Sequence, residues 1–362
     1  MAVCKRLHNT DAPFRSGFAA VTANQAPVRV TIEDVAREAE VSYATVSRVI
    51  NNKGYVSDET RQRVNDVVDR IGYVVNRQAR GLAGGKSQVV GLVVPDVDTS
   101  YIGEIIRGID MELAAVDYDL MLYTTRHRKN RESAYVATLT DGLADGLLLV
   151  LPAASGAYLD SFRKRKFPCV LIDHRGMDET GPSVGATNFQ GAADATRYLI
   201  GLGHHRIGMV TGNLDMVCAV DRLNGYRQAL TEAGLPIDDD LVRYGDFLQP
   251  RGFECARELL ALADPPTAIF ASNDVSAFGV MEAIRDSGRR IPADISVIGF
   301  DDIPVASNVY PPLTTVRQPL FEMGASATRM LLELVGNPSR SGERVLLPTA
   351  LVIRESCRAP AG

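Results

Sequence analysis

The feature that most limits what this chain can be is the stretch from Val30 to Leu82, VTIEDVAREAEVSYATVSRVINNKGYVSDETRQRVNDVVDRIGYVVNRQARGL. It reads as three short helices followed by a hinge. Thr31 is a good N-cap, and Asp34 three residues on completes a capping box, in which each side chain satisfies the other residue's backbone N–H. Ile32, Val35, Ala36 and Ala39 recur at i, i+3, i+4 and i+7, which places them on one helical face. Glu40-Val41 makes a tight turn, Ser42 caps a second helix, and Val46, Val49 and Ile50 form its apolar side. Tyr43, Ala44, Ser47, Arg48 and Asn51 are left facing outward. A short helix with hydroxyls, an amide and one arginine on its exposed side can reach both phosphates and base edges. A purely structural bundle has no need of such a face. Ser57 caps a third helix, with Asp58 and Glu59 in its first turn and Val64, Val67, Val68 and Ile71 turned inward.

At these residues the chain resembles the lactose/galactose repressor (LacI/GalR) family of bacterial transcription factors. The motifs that carry the likeness are TIEDVAREAEVSYATVSRVIN, VSDETRQRV and GYVVNRQARGL, and the resemblance runs on to near Ile353. It implies a helix-turn-helix DNA-binding domain over 29–75, a hinge helix and linker over 76–88, and an effector-binding and dimerisation domain over 89–362. Residues 1–28 lie outside it and read as a disordered extension, or as residues upstream of the true start. Tyr43, Ala44 and Arg48 would read major-groove bases, with Arg48 suited to guanine. Thr31, Ser42, Thr45, Ser47 and Asn51 would hold phosphates. In the hinge segment, Asn76 and Arg80 would contact DNA and Leu82 would wedge into the minor groove, paired with its dimer mate. Gly81 lowers helix propensity there by roughly 1 kcal/mol relative to Ala, which suits a hinge that folds only on DNA.

The charge distribution agrees with a protein that touches DNA at one end. Residues 1–88 hold 13 Lys/Arg against 9 Asp/Glu, whereas the remainder holds 26 against 35. A basic head thus joins an acidic body. The five cysteines are scattered and odd in number without a C-x-x-C, which fits reduced thiols in a cytoplasm and argues against both a disulfide framework and a zinc site. No apolar run reaches the ~18 residues of a membrane helix, and no sustained apolar core follows Lys5-Arg6 as in a secretory signal. The expected place of action is the bacterial cytoplasm, at the nucleoid.

From Val89 onward, short apolar strands alternate with helical segments, the signature of a parallel-sheet α/β fold. Candidate strands are 89–95, 120–125, 146–152, 169–173, 206–212, 268–272 and 296–300. A second half begins near Asn188. Two doubly wound lobes fit the length, like a periplasmic binding protein, with strand C-termini facing a shared crevice. The resemblance places the first lobe at about 89–188 and 317–344, and the second at about 189–316 and 345–355.

Polar groups follow several of these strands: Asp96, Asp173, Asn273-Asp274 and Asp301-Asp302. The resemblance adds Arg222, Phe247 and, from the first lobe, Tyr101. Together they look like a sugar-type effector pocket, since carboxylates, an amide and an arginine pair with vicinal hydroxyls and an aromatic ring stacks on a sugar face. The competing reading is that an Asp or Asn after a strand caps the next helix.

An enzyme lacks its motifs here. No G-x-S-x-G, H-E-x-x-H or Ser/His/Asp ordering is present, and Gly85-Lys86-Ser87 lacks the glycine that a phosphate loop needs at Arg80. Neither cofactor nor metal is expected, because adjacent His204-His205 on a loop rarely converge on one ion. A solute-binding protein for uptake would share the body but have no use for residues 30–82. The expected partners are double-stranded DNA with a pseudo-palindromic operator, a small effector, and a second copy of the chain, with pairing of dimers into tetramers left open and no membrane involved. The expected function is repression of carbohydrate-utilisation genes, relieved by a sugar inducer. The alternative is a corepressor-dependent regulator sensing a purine or other metabolite.

Overall fold

The computed structural model describes residues 30–50, 54–73, 86–126, 128–152, 167–174, 181–337 and 343–360. The chain divides into two compact units, Met1–Asn76 and Arg77–Gly362. The expected 1–28 extension and most of the 76–88 hinge lie outside the described residues.

The first unit is built from α1 (Ile32–Glu38), α2 (Tyr43–Ile50) and α3 (Asp58–Ile71). Its capping box forms as the sequence implies: the Thr31 N–H donates to Asp34 Oδ2 at 2.9 Å, and the Asp34 N–H donates to Thr31 Oγ1 at 3.3 Å. The Thr31 N–H and the Thr31 hydroxyl, both donating to it, and the neighbouring Arg37 hold the Asp34 carboxyl below its usual range. The Ser57 hydroxyl accepts from the Thr60 N–H, and Gly72 closes α3 in the left-handed region at φ +66°. Val35, Ala36, Ala39, Val46, Val49, Val64 and Val67 form the shared core.

The second unit holds two sheets. The first comprises β1 (Val89–Val94), β2 (Asp119–Thr124), β3 (Gly146–Val150), β4 (Cys169–Ile172), β5 (Ser183–Ala186) and β11 (Arg344–Leu347), in the order β11-β5-β4-β3-β1-β2 and parallel throughout. The second comprises β6 (Ile207–Val210), β7 (Val242–Arg243), β8 (Ala268–Ala271), β9 (Ser296–Asp301), β10 (Thr314–Arg317) and β12 (Ala350–Val352), in the order β12-β10-β9-β8-β6-β7. Only the short edge strand β12 runs antiparallel among its pairings.

Helices cover both faces, which is why β1 reads as an unbroken apolar run. Val90, Leu92 and Val94 pack towards α4 (Ser100–Ala114) and α10 (Leu320–Gly336). Val89 and Val93 pack on the other side with Val136 of α5 (Lys129–Thr138). The second sheet is sandwiched between α6 (Asn188–Gly201) with α7 (Val217–Glu232) and α8 (Gln249–Leu260) with α9 (Asp274–Asp286). Where α4 crosses α10, Gly108 allows backbone-to-backbone approach, because a Cβ there would collide with the Phe321 carbonyl oxygen. Gly108→Ala is expected to cost about 1–3 kcal/mol, since that carbonyl belongs to a helix and cannot swing aside. A lower denaturant midpoint at unchanged slope checks it.

One expected boundary is corrected. The expected return to the second lobe at about 345 comes later: Arg344–Leu347 pairs in parallel with Ser183–Ala186 and completes the first sheet. The return is made at Pro348-Thr349, where proline cannot continue donating to the ladder. There Thr349 is tied to the first crossover: its N–H donates to Thr187 Oγ1 at 2.9 Å.

Candidate functional site

In the head, α2 presents Tyr43, Ala44 and Arg48 to solvent, while Thr45 and Ser47 are half-buried. Among the described residues the Arg48 guanidinium has neither an ion pair nor a hydrogen bond, so it is available to an external acceptor. The Ser42 hydroxyl accepts from the Thr45 N–H at 3.1 Å and lies 2.9 Å from the Thr45 hydroxyl. Thr31 is similarly engaged, its hydroxyl donating to Asp34 Oδ2 at 2.8 Å. These three hydroxyls therefore stabilise helix starts first, and any phosphate contact shares them. Asn51, Asn76, Arg80 and Leu82 lie outside the described residues.

In the body, the seven side chains singled out from sequence all line one cavity of about 90 Å³ between the two sheets' C-terminal edges: Asp96, Tyr101, Asp173, Arg222, Phe247, Asn273 and Asp301. A hydrogen-bond chain runs across it. The Tyr101 hydroxyl donates to Asp173 Oδ2 at 2.9 Å, and Asn188 Nδ2 donates to Asp173 Oδ1 at 3.1 Å. Arg222 Nε donates to Asn188 Oδ1 at 2.9 Å, and its Nη1 donates to the Ser272 carbonyl at 2.5 Å. That nitrogen lies 3.6 Å from Asp301 Oδ1, which also accepts from Gln318 Nε2 at 2.7 Å. The guanidinium sits 3.9 Å from the Phe300 ring centroid and 5.7 Å from that of Phe247, so it is clamped between faces as well as bonded at its edge.

Sequence reasoning missed Asn188 and Gln318. Each looked like an ordinary polar residue, and their importance comes from standing at the first and second lobe crossovers. Cys218 and Met216 at the start of α7 also line the cavity, and nothing in their spacing marks them.

Asn273 satisfies both readings of it. Its Oδ1 caps α9 through the Ser276 N–H at 2.9 Å, and its Nδ2 fixes the Phe247 carbonyl at 3.1 Å. Phe247 has φ +72°, and its ring lies over Gly212, where any Cβ would strike it. Asp274 and Asp302, candidates by sequence, do not line the cavity. Asp274 accepts from the Thr315 hydroxyl at 2.5 Å and the Ile303 N–H at 2.9 Å. Asp302 accepts from Arg317 Nε at 2.7 Å and Arg354 Nη2 at 2.6 Å.

Burial dominates the electrostatics. It pushes the Asp301 carboxyl up to about 7, against the pull of Arg222 and the Gln318 bond, while Asp173 adds to the rise. Burial and then Asp173 raise Tyr101, which keeps its phenol a donor, and burial raises the Cys218 thiol, which keeps it protonated and unreactive. Among the described lining residues one cation, Arg222, faces Asp96, Asp173, Asp246 and Asp301. Such a lining accepts hydroxyl donors and repels anions. No group of His, Cys, Asp and Glu among the described residues could hold a metal ion, and no helix among them is long and apolar enough to cross a membrane.

Comparison with known proteins finds relatives for both parts of the chain. Residues 31–76 match the family described as bacterial regulatory proteins, lacI family, and residues 196–357 match a periplasmic binding protein-like domain. Catabolite control protein A of Priestia megaterium is 34% identical over 332 residues, covering 91% of this chain and 100% of its own length. A solved complex of the transcriptional regulator CelR with cellobiose is similar at 35% identity and TM-score 0.70, covering 91% of this chain and 100% of that one. The lac repressor dimer bound to operator and an anti-inducer is similar at 30% identity and TM-score 0.82, over 91% of this chain and 99% of that one. The chain belongs to the lacI family of bacterial regulatory proteins and is a DNA-binding transcriptional regulator.

Proposed function

We propose that this regulator is a cytoplasmic, non-enzymatic repressor of carbohydrate-utilisation genes, released from its operator by a small uncharged polyhydroxyl effector. The observation that carries the reading is the hydrogen-bond chain from Tyr101 through Asp173, Asn188 and Arg222 to Asp301 and Gln318. Its middle and end stand at two lobe crossovers. A ligand hydroxyl that bonds Asp173, Arg222 or Asp301 enters this chain directly, so occupancy changes the restraints on lobe closure. Phe247 supplies a face for the ligand's C–H surface. The excess of carboxylates favours a neutral ligand, and the CelR complex shows that a relative of this fold accommodates a sugar.

One recognition helix covers one half-site, so a homodimer on a pseudo-palindromic operator supplies useful affinity. In it Tyr43, Ala44 and Arg48 read bases, and Thr31, Ser42, Thr45, Ser47 and Asn51 hold phosphates beside the hinge contacts of Asn76, Arg80 and Leu82. Leu82→Ala is expected to weaken operator binding while leaving effector binding unchanged. Fluorescence anisotropy on a labelled operator measures the first, and an unaltered operator affinity removes the wedge from the mechanism.

The function itself is tested by thermal unfolding against neutral mono- and disaccharides, sugar phosphates, nucleosides and purine bases. A ligand at 100 times its dissociation constant adds about 2.7 kcal/mol. A neutral sugar that stabilises the protein and loosens operator binding supports induction. A purine that stabilises it and tightens operator binding would replace induction with corepression.

A further inference from the structure

We propose that the cleft exchanges a proton for its effector: Asp301 holds a hydrogen on Oδ2 in the empty regulator and releases it when an effector hydroxyl donates to that oxygen. The proposal rests on the reading of the cleft as a polyhydroxyl site and adds a pH dependence to it.

The geometry singles out Asp301 among three buried carboxyls, which stand at the ends of β4 and β9 and at the start of α9. Asp173 accepts on both oxygens, from Tyr101 and Asn188. Asp274 also accepts on both, from the Thr315 hydroxyl and the Ile303 N–H. Asp301 accepts on Oδ1 alone, from Gln318 Nε2 at 2.7 Å. Among the described residues no donor reaches its Oδ2, although the side chain is buried and lines the cavity. The Gln318 amide is short of a hydrogen as well, because its Oε1 is buried without a donor. A carboxylate taken out of water needs donors on both oxygens, and leaving one bare is costly. A proton on Oδ2 removes the charge and turns that oxygen into a donor.

Arg222 is committed elsewhere. Its Nε serves Asn188 and its Nη1 serves the Ser272 carbonyl, and Nη1 stands 3.6 Å from Asp301 Oδ1, beyond hydrogen-bond reach. Its charge is also shared with Asp173. The remaining groups around Asp301 offer no second cation. Asp274, on α9, is itself raised well above its ordinary range by burial and by Asp301. The Tyr101 phenol and the Cys218 thiol are held neutral. Asp302 is taken up by Arg317 and Arg354, and Asp96 and Asp246 add carboxylates to the cavity lining. Burial thus outweighs Arg222 and Gln318 and brings Asp301 up to about 7, where its surroundings decide its charge.

An effector hydroxyl aimed at Oδ2 supplies the missing donor. The Asp301 O–H bond breaks, its proton passes to water or buffer, and the electron pair stays on the carboxylate that accepts the effector's O–H. One proton leaves for each effector bound. Affinity is therefore level above the Asp301 value and falls below it, by about tenfold from about pH 8 to about pH 6.

The test begins with infrared difference spectroscopy of the full-length, ligand-free protein between about pH 6 and about pH 8.5, where carboxyls that titrate near about 4 are already ionised. The C=O stretch of a protonated carboxyl is expected at the lower pH and should vanish at the higher. It should be missing from D301N. In Q318L, which removes the donor to Oδ1 without touching Asp301, it should persist to higher pH. A spectrum with no titrating band, or the same band in the parent, D301N and Q318L, overturns the proposal. D-ribose and cellobiose, a pentose and a disaccharide, are the probes for the exchange. A sugar that raises the unfolding midpoint should diminish the band and bind with a heat that differs between phosphate and Tris buffers, as a released proton requires. A sugar that stabilises the protein but leaves the band intact, with an affinity independent of pH, overturns the exchange. If neither sugar raises the midpoint, the result counts against the polyhydroxyl reading, and the ligand-free spectrum by itself upholds or overturns the proton on Asp301.

Discussion

Arg222→Ala is expected to destabilise the body by about 3–5 kcal/mol and to abolish the effector response, because it leaves buried carboxylates without their cation. Arg222 and Asp301 are 2% and 4% exposed at their side chains, so water cannot replace the lost partner. The pH dependence separates this cause from simple loss of packing. Asp301 is raised in the folded state to about 7, whereas an unfolded aspartate titrates near 3.9. Its contribution to stability is therefore full below about pH 4 and is lost as pH rises through the folded value. Removing Arg222 withdraws an influence that lowers Asp301, so the folded value climbs further. The penalty of Arg222→Ala should then be larger at pH 8 than at pH 5 in urea denaturation. Arg222→Met with Asp301→Leu, which replaces the pair by apolar side chains of similar bulk, should recover most of the stability and none of the effector response. A penalty independent of pH would mean that the pair contributes packing alone.

What was legible in the sequence was local. Thr31 and Asp34 announce a capping box because both partners lie within one turn, and Val35, Val46 and Val64 declare their faces by period. Asp96, Asp173, Asn273 and Asp301 could be found because the ends of parallel strands converge on one edge, so a polar residue just after each strand is already near the crevice. Arg222 and Phe247 carried no such mark, standing inside a helix and in a loop, and only the family resemblance pointed to them. The neighbouring pairs show the limit best. Asn273 and Asp301 line the cavity while Asp274 and Asp302 do not, and composition cannot say which member of a pair faces a ligand. Asn188 and Gln318 were invisible for a different reason: their partners are far away in sequence and meet them only where the chain changes lobes. The SVGA of β5 is too short and too small to signal a strand, so its pairing with Arg344–Leu347 was hidden as well, and with it the true position of the last crossover.

Asp302→Ala is expected to lower stability by about 3 kcal/mol, which for a chain of this size is several degrees in the unfolding midpoint. The carboxylate is 7% exposed and holds Arg317, at the second crossover, and Arg354, just beyond the third. Arg317 is 58% exposed and can turn to water, so its share is small. Arg354 is 17% exposed and keeps only its bond to the Leu313 carbonyl at 2.8 Å, so most of the penalty falls there. Asp302→Asn, which keeps one acceptor oxygen but no charge, should fall between the parent and Asp302→Ala. The functional consequence follows from position. Asp301, the preceding residue, faces the cleft and is bonded to Gln318, one residue after Arg317, so the carboxylate that meets a ligand and the carboxylate that pins the crossovers share a backbone. Loosening Asp302 should weaken the coupling between cleft and operator more than it weakens effector binding itself. Measured together, effector affinity by calorimetry should change little, while the effector's influence on operator affinity shrinks. If instead both affinities fall in proportion, Asp302 supports the fold of the second lobe and takes no part in transmitting occupancy.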